Sequence, residues 1–168
     1  MTELDHVWSQ MLAEAGESAS RSGREHVAEY LRLRATNDAI RTRGVAWLIG
    51  AIIEIAAGEQ RRHGNIVIER EEPYSFVRGS HTMQGTMLSI RQGVRCLTVE
   101  AGWARVPRDG IMQKGALAYA RLSHFGMPRA GAEFRLVHAE SLPTWLDEGG
   151  SAVDTVALRG HFAIFLST

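Results

Sequence analysis

Apolar positions recur at helical spacing through the first third of the chain and at every second residue from about residue 64 onward. Leu4, Val7, Trp8, Met11, Leu12 and Ala15 share one helical face, with Thr2 placed to cap it and Gly16 to stop it, so the spacing predicts a helix over 3–15. Residues 17–23 read as a polar linker. Ser22 and Glu25 then form an S-x-x-E capping pair ahead of Val27, Tyr30 and Leu31, which predicts a second helix over 23–35. Thr36 and Asn37 read as a break and a new cap. Beyond them Ile40, Val45, Leu48, Ile49, Ile52, Ile53 and Ala56 keep helical spacing as far as Gly58. Trp47, Ala51 and Ile55 lie off that stripe, so 38–58 is apolar on most sides and is expected to be a central helix, with 45–57 buried against a sheet.

After the change of period, 65–70 and 74–78 read as strands separated by Pro73, and 86–90 with 94–100 as a hairpin around Arg91-Gln92-Gly93. A three-residue loop sets Ile90 opposite Val94, Leu88 opposite Cys96 and Thr86 opposite Thr98. A two-residue Gln-Gly loop shifts this by one. Either register leaves apolar groups on both faces of the hairpin, and a second apolar face needs a covering partner. Further strands are expected at 103–106, 111–112, 116–125, 133–140 and 157–166, with turns at Pro107–Gly110 and Gly126–Gly131. Short connections favour antiparallel pairing. The fold class is therefore α+β: three N-terminal helices, one central and buried, packed on a curved antiparallel sheet of five to seven strands.

A length of 168 residues suits a single α+β domain over 1–168, helical in 1–63 and mainly β in 64–168. Net charge is formally zero, which argues against nucleic-acid or anionic-membrane affinity. The charge is uneven, at −1 over 1–63, +4 over 64–135 and −3 over 136–168. Lys114 is the one lysine against 18 arginines, as a GC-rich bacterial genome gives. The six arginines of 21–43 alternate with Glu25, Glu29 and Asp38, which makes a salt-bridged face rather than a nucleic-acid helix. Residues 45–57 are too few to span a bilayer, which takes roughly 20. The N-terminus shows no basic start followed by an apolar run. Cys96 is the only cysteine, so no internal disulfide forms. The expectation is a cytoplasmic protein without membrane attachment, and a homodimer if the second apolar face is covered by another copy.

Phosphate-binding loops, dinucleotide glycine patterns, H-E-x-x-H, G-x-S-x-G and C-x-x-C are absent from the sequence. No two of the seven histidines sit at i, i+2 or i, i+4, so no local metal site is visible, and no cofactor is expected. His81 in a polar loop, His124 at a strand end and Glu100 among apolar neighbours are the candidate acid–base residues. Arg91, Arg95, Arg105 and Arg108 crowd around Trp103 and form a candidate anion site. Three readings follow. The first is a small-molecule-binding or regulatory domain holding a small, partly apolar ligand between helix 38–58 and the sheet, lined by Arg95, Trp103 and His124. The second is a metal-independent enzyme acting on an acyl or carbonyl group through His81, Glu100 and His124. The third is a protein–protein adaptor.

Residues 121–136, RLSHFGMPRAGAEFRL, resemble the strand–Pro–Gly–strand segment of hot-dog acyl-thioester enzymes. The resemblance covers about a tenth of the chain. It implies an apolar helix beside an antiparallel sheet and chemistry on acyl groups, but several strands intervene here between that helix and this segment. It carries over no catalytic residue.

Overall fold

A computed structural model of the chain describes residues 3–104, 115–138 and 142–167, with side chains from residue 6 onward. The chain falls into two compact units, Met1–Arg43 and Gly44–Thr168. In the first, helix α1 (Glu3–Arg21) turns through Ser22–Arg24 into helix α2 (Glu25–His63), with Gly23 at a positive φ. Leu12, Ala19 and Ala28 are buried, Trp8 donates to Asp38 at 3.3 Å, and Arg34 stacks over the Trp8 ring.

These helices correct the sequence reading at three points. Gly16 and Gly58 do not stop their helices, and α2 runs unbroken through Thr36 and Asn37, so the expected second and third helices are one. Thr36 and Thr42 turn their hydroxyls back to the carbonyls four residues earlier, which lets them sit inside a helix. The Ser22–Glu25 box is not formed: Ser20 bonds Glu25, while Ser22 bonds the Ser18 carbonyl.

The second unit is built on six antiparallel strands in sequence order: β1 Val67–Arg78, β2 His81–Gln92, β3 Arg95–Trp103, β4 Ala118–His124, β5 Ala132–His138 and β6 Pro143–Leu146. The two strands expected on either side of Pro73 are one strand with a register shift between Glu71 and Tyr74. Strand β6 went unread in the sequence. Residues 157–166, read as a strand, lie in helix α3 (Thr155–Leu166), capped by the Asp154 carboxylate, which accepts from the Ala157 N–H. The α+β class with three helices and a six-stranded antiparallel sheet stands, with the third helix at the C-terminal end. Residues 105–106 of the strand expected at 103–106, the turn at Pro107–Gly110 and the strand at 111–112 lie outside the described residues.

The β2–β3 hairpin turns on Gly93-Val94, with Gln92 opposite Arg95. Gly93 takes the positive φ that two-residue hairpin loops need. This register differs from both expected ones, and it sorts the faces. Leu88, Ile90, Leu97, Val99 and Ala101 lie on one face, all fully buried, and Met87, Ser89, Cys96, Thr98 and Glu100 lie on the other. The second face of the hairpin is therefore mostly polar rather than apolar as expected.

Segment 44–63 of α2 and helix α3 both cover the apolar face. Gly44 lies so close to Leu136 that a Cβ there would stand 2.4 Å from a leucine methyl, and the Gly44 carbonyl accepts from the Trp145 indole at 2.9 Å. Val45, Leu48, Ile49, Ile52, Ile55 and Ala56 are buried as expected, while Trp47 stays half exposed. Leu158, Phe162 and Phe165 are the inward face of α3.

The sheet is sharply curled. Arg78 at the end of β1 lies 3.7 Å from the ring centroid of Tyr119 on β4 and bonds Glu133 on β5 at 2.8 Å. In a flat sheet β1 and β5 would stand roughly 19 Å apart, four strand spacings, beyond an arginine's reach. Gly85 and Gly102, directly opposite on β2 and β3, permit the curl: a Cβ on Gly85 would lie 1.9 Å from the Ala101 carbonyl oxygen. The tip of the β1–β2 hairpin, where Arg78 pairs with His81, thus folds back over the polar face and buries Phe76 and Met83 there.

Candidate functional site

Strand alternation puts the polar face's side chains in two groups. At its centre Glu100 is almost wholly buried, yet both of its oxygens are satisfied. Tyr74 donates to Oε1 at 3.1 Å, and Arg121 donates to Oε2 through Nε at 2.8 Å and through Nη2. Burial, then the hydrogen bond to Glu100 and its charge, raises the Tyr74 phenol above its ordinary value, which keeps it a donor. Arg121 stands opposite Glu133, which bonds Arg78, so alternating charges run across the face from β3 to the hairpin tip. A carboxylate so fully engaged holds the curl together and is poorly placed to move protons.

Beside this network lies a groove of about 550 Å³ bounded by Glu69, Arg70, Glu71, Tyr74 and Arg91, with Met87, Ser89, Cys96 and Thr98 along its floor. The Cys96 sulfur lies 3.4 Å from the Ser89 hydroxyl and 3.6 Å from that of Thr98, and Arg91, directly opposite Cys96, bonds Ser89 at 3.1 Å. Burial raises the thiol, but hydrogen bonds from Ser89, Thr98 and Arg91, with the charge of Arg91, outweigh it, and the net direction is below the ordinary cysteine value. Cys96 should therefore be alkylated by iodoacetamide at lower pH than a free thiol. In Arg91→Gln and Ser89→Ala the pH midpoint of the rate should move up, as stopped-time mass spectrometry would record, and an unmoved midpoint would count against this environment.

The expected acid–base set is not assembled. Glu100 faces the groove side, whereas His124, opposite Leu97, points into the helix-covered side. His81 starts β2 at the hairpin tip, six residues from Met87, the residue facing Glu100. The expected ligand lining fares similarly. Arg95, Trp103 and His124 do share the helix-covered face, but Arg95 donates to the Phe165 carbonyl at the end of α3, a helix C-terminal contact. Trp103 is buried eight residues further along β3. Arg91 and Arg95 lie on opposite faces, so they form no common anion patch, and Arg105 and Arg108 lie outside the described residues. Among the described residues no group of three metal-ligating side chains is present. Cys96, Ser89 and Thr98 were missed as a site because the register was open and the three-residue loop separates Ser89 from the other two; their alternation in 96–98 was the available signal.

His124 does have a chemical partner. Its Nε2 lies 3.4 Å from Nδ1 of His161 on α3, the two rings stack, and Phe134 meets His161 edge-on. Burial, and for His124 also the neighbouring His161, lowers both imidazoles from the ordinary 6.5. Lowered folded-state values mean the unfolded chain binds more protons just below pH 6.5. Stability is then full above that pH and falls as the pH drops through the folded values. Urea unfolding should show this loss between neutral and mildly acidic pH, and His161→Phe should flatten it. An equally steep loss in that variant would mean other groups carry it.

Comparison with known proteins found no matching family model, no matching curated protein and no matching solved structure. Among the described residues no helix is long and apolar enough to cross a membrane.

Proposed function

We propose that the chain is a small-molecule-binding or regulatory domain whose ligand is small and partly apolar and lies in the groove over Met87, Ser89, Cys96 and Thr98. The groove is the observation that carries this reading: about 550 Å³ falls within the range of small-ligand sites, and hydroxyls, a thiol and one methionine line it. This moves the ligand from the helix-covered face, where the core residues close on one another, to the polar face. The charges around it, Glu69 and Glu71 against Arg70 and Arg91, balance, which favours a ligand without net charge. A buried Trp103 and the divided arginines speak for a chain that leaves nucleic acid alone. Free Cys96 suits a reducing compartment such as the cytoplasm.

A second reading is favoured by Cys96 itself. A metal-independent enzyme acting on an acyl or carbonyl group would use this thiolate as its nucleophile, in place of His81, Glu100 and His124. Native mass spectrometry of freshly purified protein tests the first reading. The expected spectrum carries an adduct above the 18.6 kDa chain that disappears in Ser89→Trp, a substitution that fills the groove. An adduct that survives Ser89→Trp would place the ligand elsewhere. An adduct that withstands denaturation and maps to Cys96 would favour the enzyme.

A further inference from the structure

A second cleft of about 240 Å³ opens on the polar face between strands β4–β6 and the hairpin tip, away from the groove. Its floor is one cross-strand row, Tyr119 opposite Arg135 opposite Leu146. Arg78 leans in over the Tyr119 ring, and the turn after β6 supplies Asp147 and Glu148. The charges in it are unequally used. Glu133 is occupied by Arg78. Asp147 holds the Ser151 N–H with one oxygen at 2.8 Å, and Glu148 stands exposed. Arg135, opposite them, makes no side-chain hydrogen bond or ion pair among the described residues, although its Nε is buried, and the Nε of Arg78 is likewise buried without an acceptor. Buried polar atoms are nearly always satisfied, and the described residues give neither Nε an acceptor, so the guanidinium groups around this cleft have donor capacity left for a ligand.

We propose that this cleft binds a free α-amino acid. A carboxylate suits the planar fork of Arg135 better than a lone acceptor does, because the two groups match in pairs of hydrogen bonds. The acidic turn on the other side suits an ammonium group. A ligand with both charges a few atoms apart satisfies both sides at once, while a plain anion would face Asp147 and Glu148 unscreened. The volume lies below that of drug-sized sites, which fits a molecule of amino-acid size, and the Tyr119 ring and Leu146 offer its side chain an apolar wall. The site is separate from the Cys96 groove, so it stands or falls independently of the function proposed above.

Saturation-transfer NMR on the full chain, with each standard L-amino acid offered at millimolar concentration, tests the proposal. Transfer is expected to one or more of them, and their N-acetyl derivatives, which lack the ammonium group, should show none. Arg135→Gln should weaken the binding by roughly tenfold or more. Its side chain bonds nothing among the described residues, so the fold should survive, and Glu148→Gln on the exposed turn carries the same test if it does not. Ser89→Trp in the groove should leave the binding unchanged. No transfer to any amino acid, equal transfer to an N-acetyl derivative, or unweakened binding in the variants of Arg135 and Glu148 would overturn the proposal.

Discussion

Gly85→Val is expected to cost about 3 kcal/mol or more of folding stability, at the upper end of what one substitution does. The reason is backbone, not side-chain, crowding. A Cβ at position 85 would lie 1.9 Å from the Ala101 oxygen, 2.6 Å from the Gly102 Cα and 2.8 Å from the Ala101 carbonyl carbon. None of these atoms can turn aside as a side-chain end could, so β2 would have to withdraw from β3. Opposite it, a Cβ on Gly102 would meet the Gln84 oxygen at 2.4 Å, so Gly102→Ala should be costly for the same reason. Gly50 on α2 is the control. It is exposed and a Cβ there meets nothing within 4 Å, so Gly50→Ala should stabilise by about 0.5–1 kcal/mol through helix propensity. Urea denaturation of the three variants would settle the contrast, and a mild effect at Gly85 would mean that β2 and β3 do not cross so closely.

Arg121→Ala is expected to cost about 2 kcal/mol, the second largest effect. Breaking a buried pair by removing one partner leaves an uncompensated charge, which costs about 3–5 kcal/mol when both groups are buried. Here Glu100 is buried but nearly half of the Arg121 side chain is exposed to water, which screens the pair and lowers the figure. Among the described residues Tyr74 would remain as the only side-chain donor to Glu100. Replacing both charges by methionine removes the penalty together with the pair and should recover most of the loss. A double-mutant cycle by urea unfolding measures this. Additive effects of the two single substitutions would show that Glu100 and Arg121 do not act together.

The parts of this fold that were legible from sequence were those set by local periodicity. The switch from helix to strand near residue 64, the burial of Val45–Ala56 and the antiparallel pairing all follow from patterns within a few residues. The misread parts turn on single residues. Residues 157–166 are apolar enough to pass for a strand, and only Asp154, capping a face of Leu158, Phe162 and Phe165, marks them as a helix. The break expected at Thr36-Asn37 failed because Thr36 bonds backward along the helix. The register of the β2–β3 hairpin turned on whether Gly93 opens or closes the loop, and that choice moved every side chain. The candidate site inherited the same ambiguity. Glu100 was legible as an unusual charge among apolar neighbours, but its partners, Tyr74 and Arg121, are 26 and 21 residues away in sequence. The grouping of Ser89, Cys96 and Thr98 on one face is lost in the three-residue-loop register and kept in the observed one.

Methyl NMR tests most directly whether the ligand lies on the polar face. Met87 lines the groove, while Leu88, Ile90, Leu97 and Val99 point to the helices. On adding the molecule that native mass spectrometry identifies, the Met87 methyl signal should shift and those four residues should keep their free positions. Shifts at Leu88, Leu97 and Val99 with Met87 unmoved would put the ligand between helices and sheet and contradict the assignment of the groove.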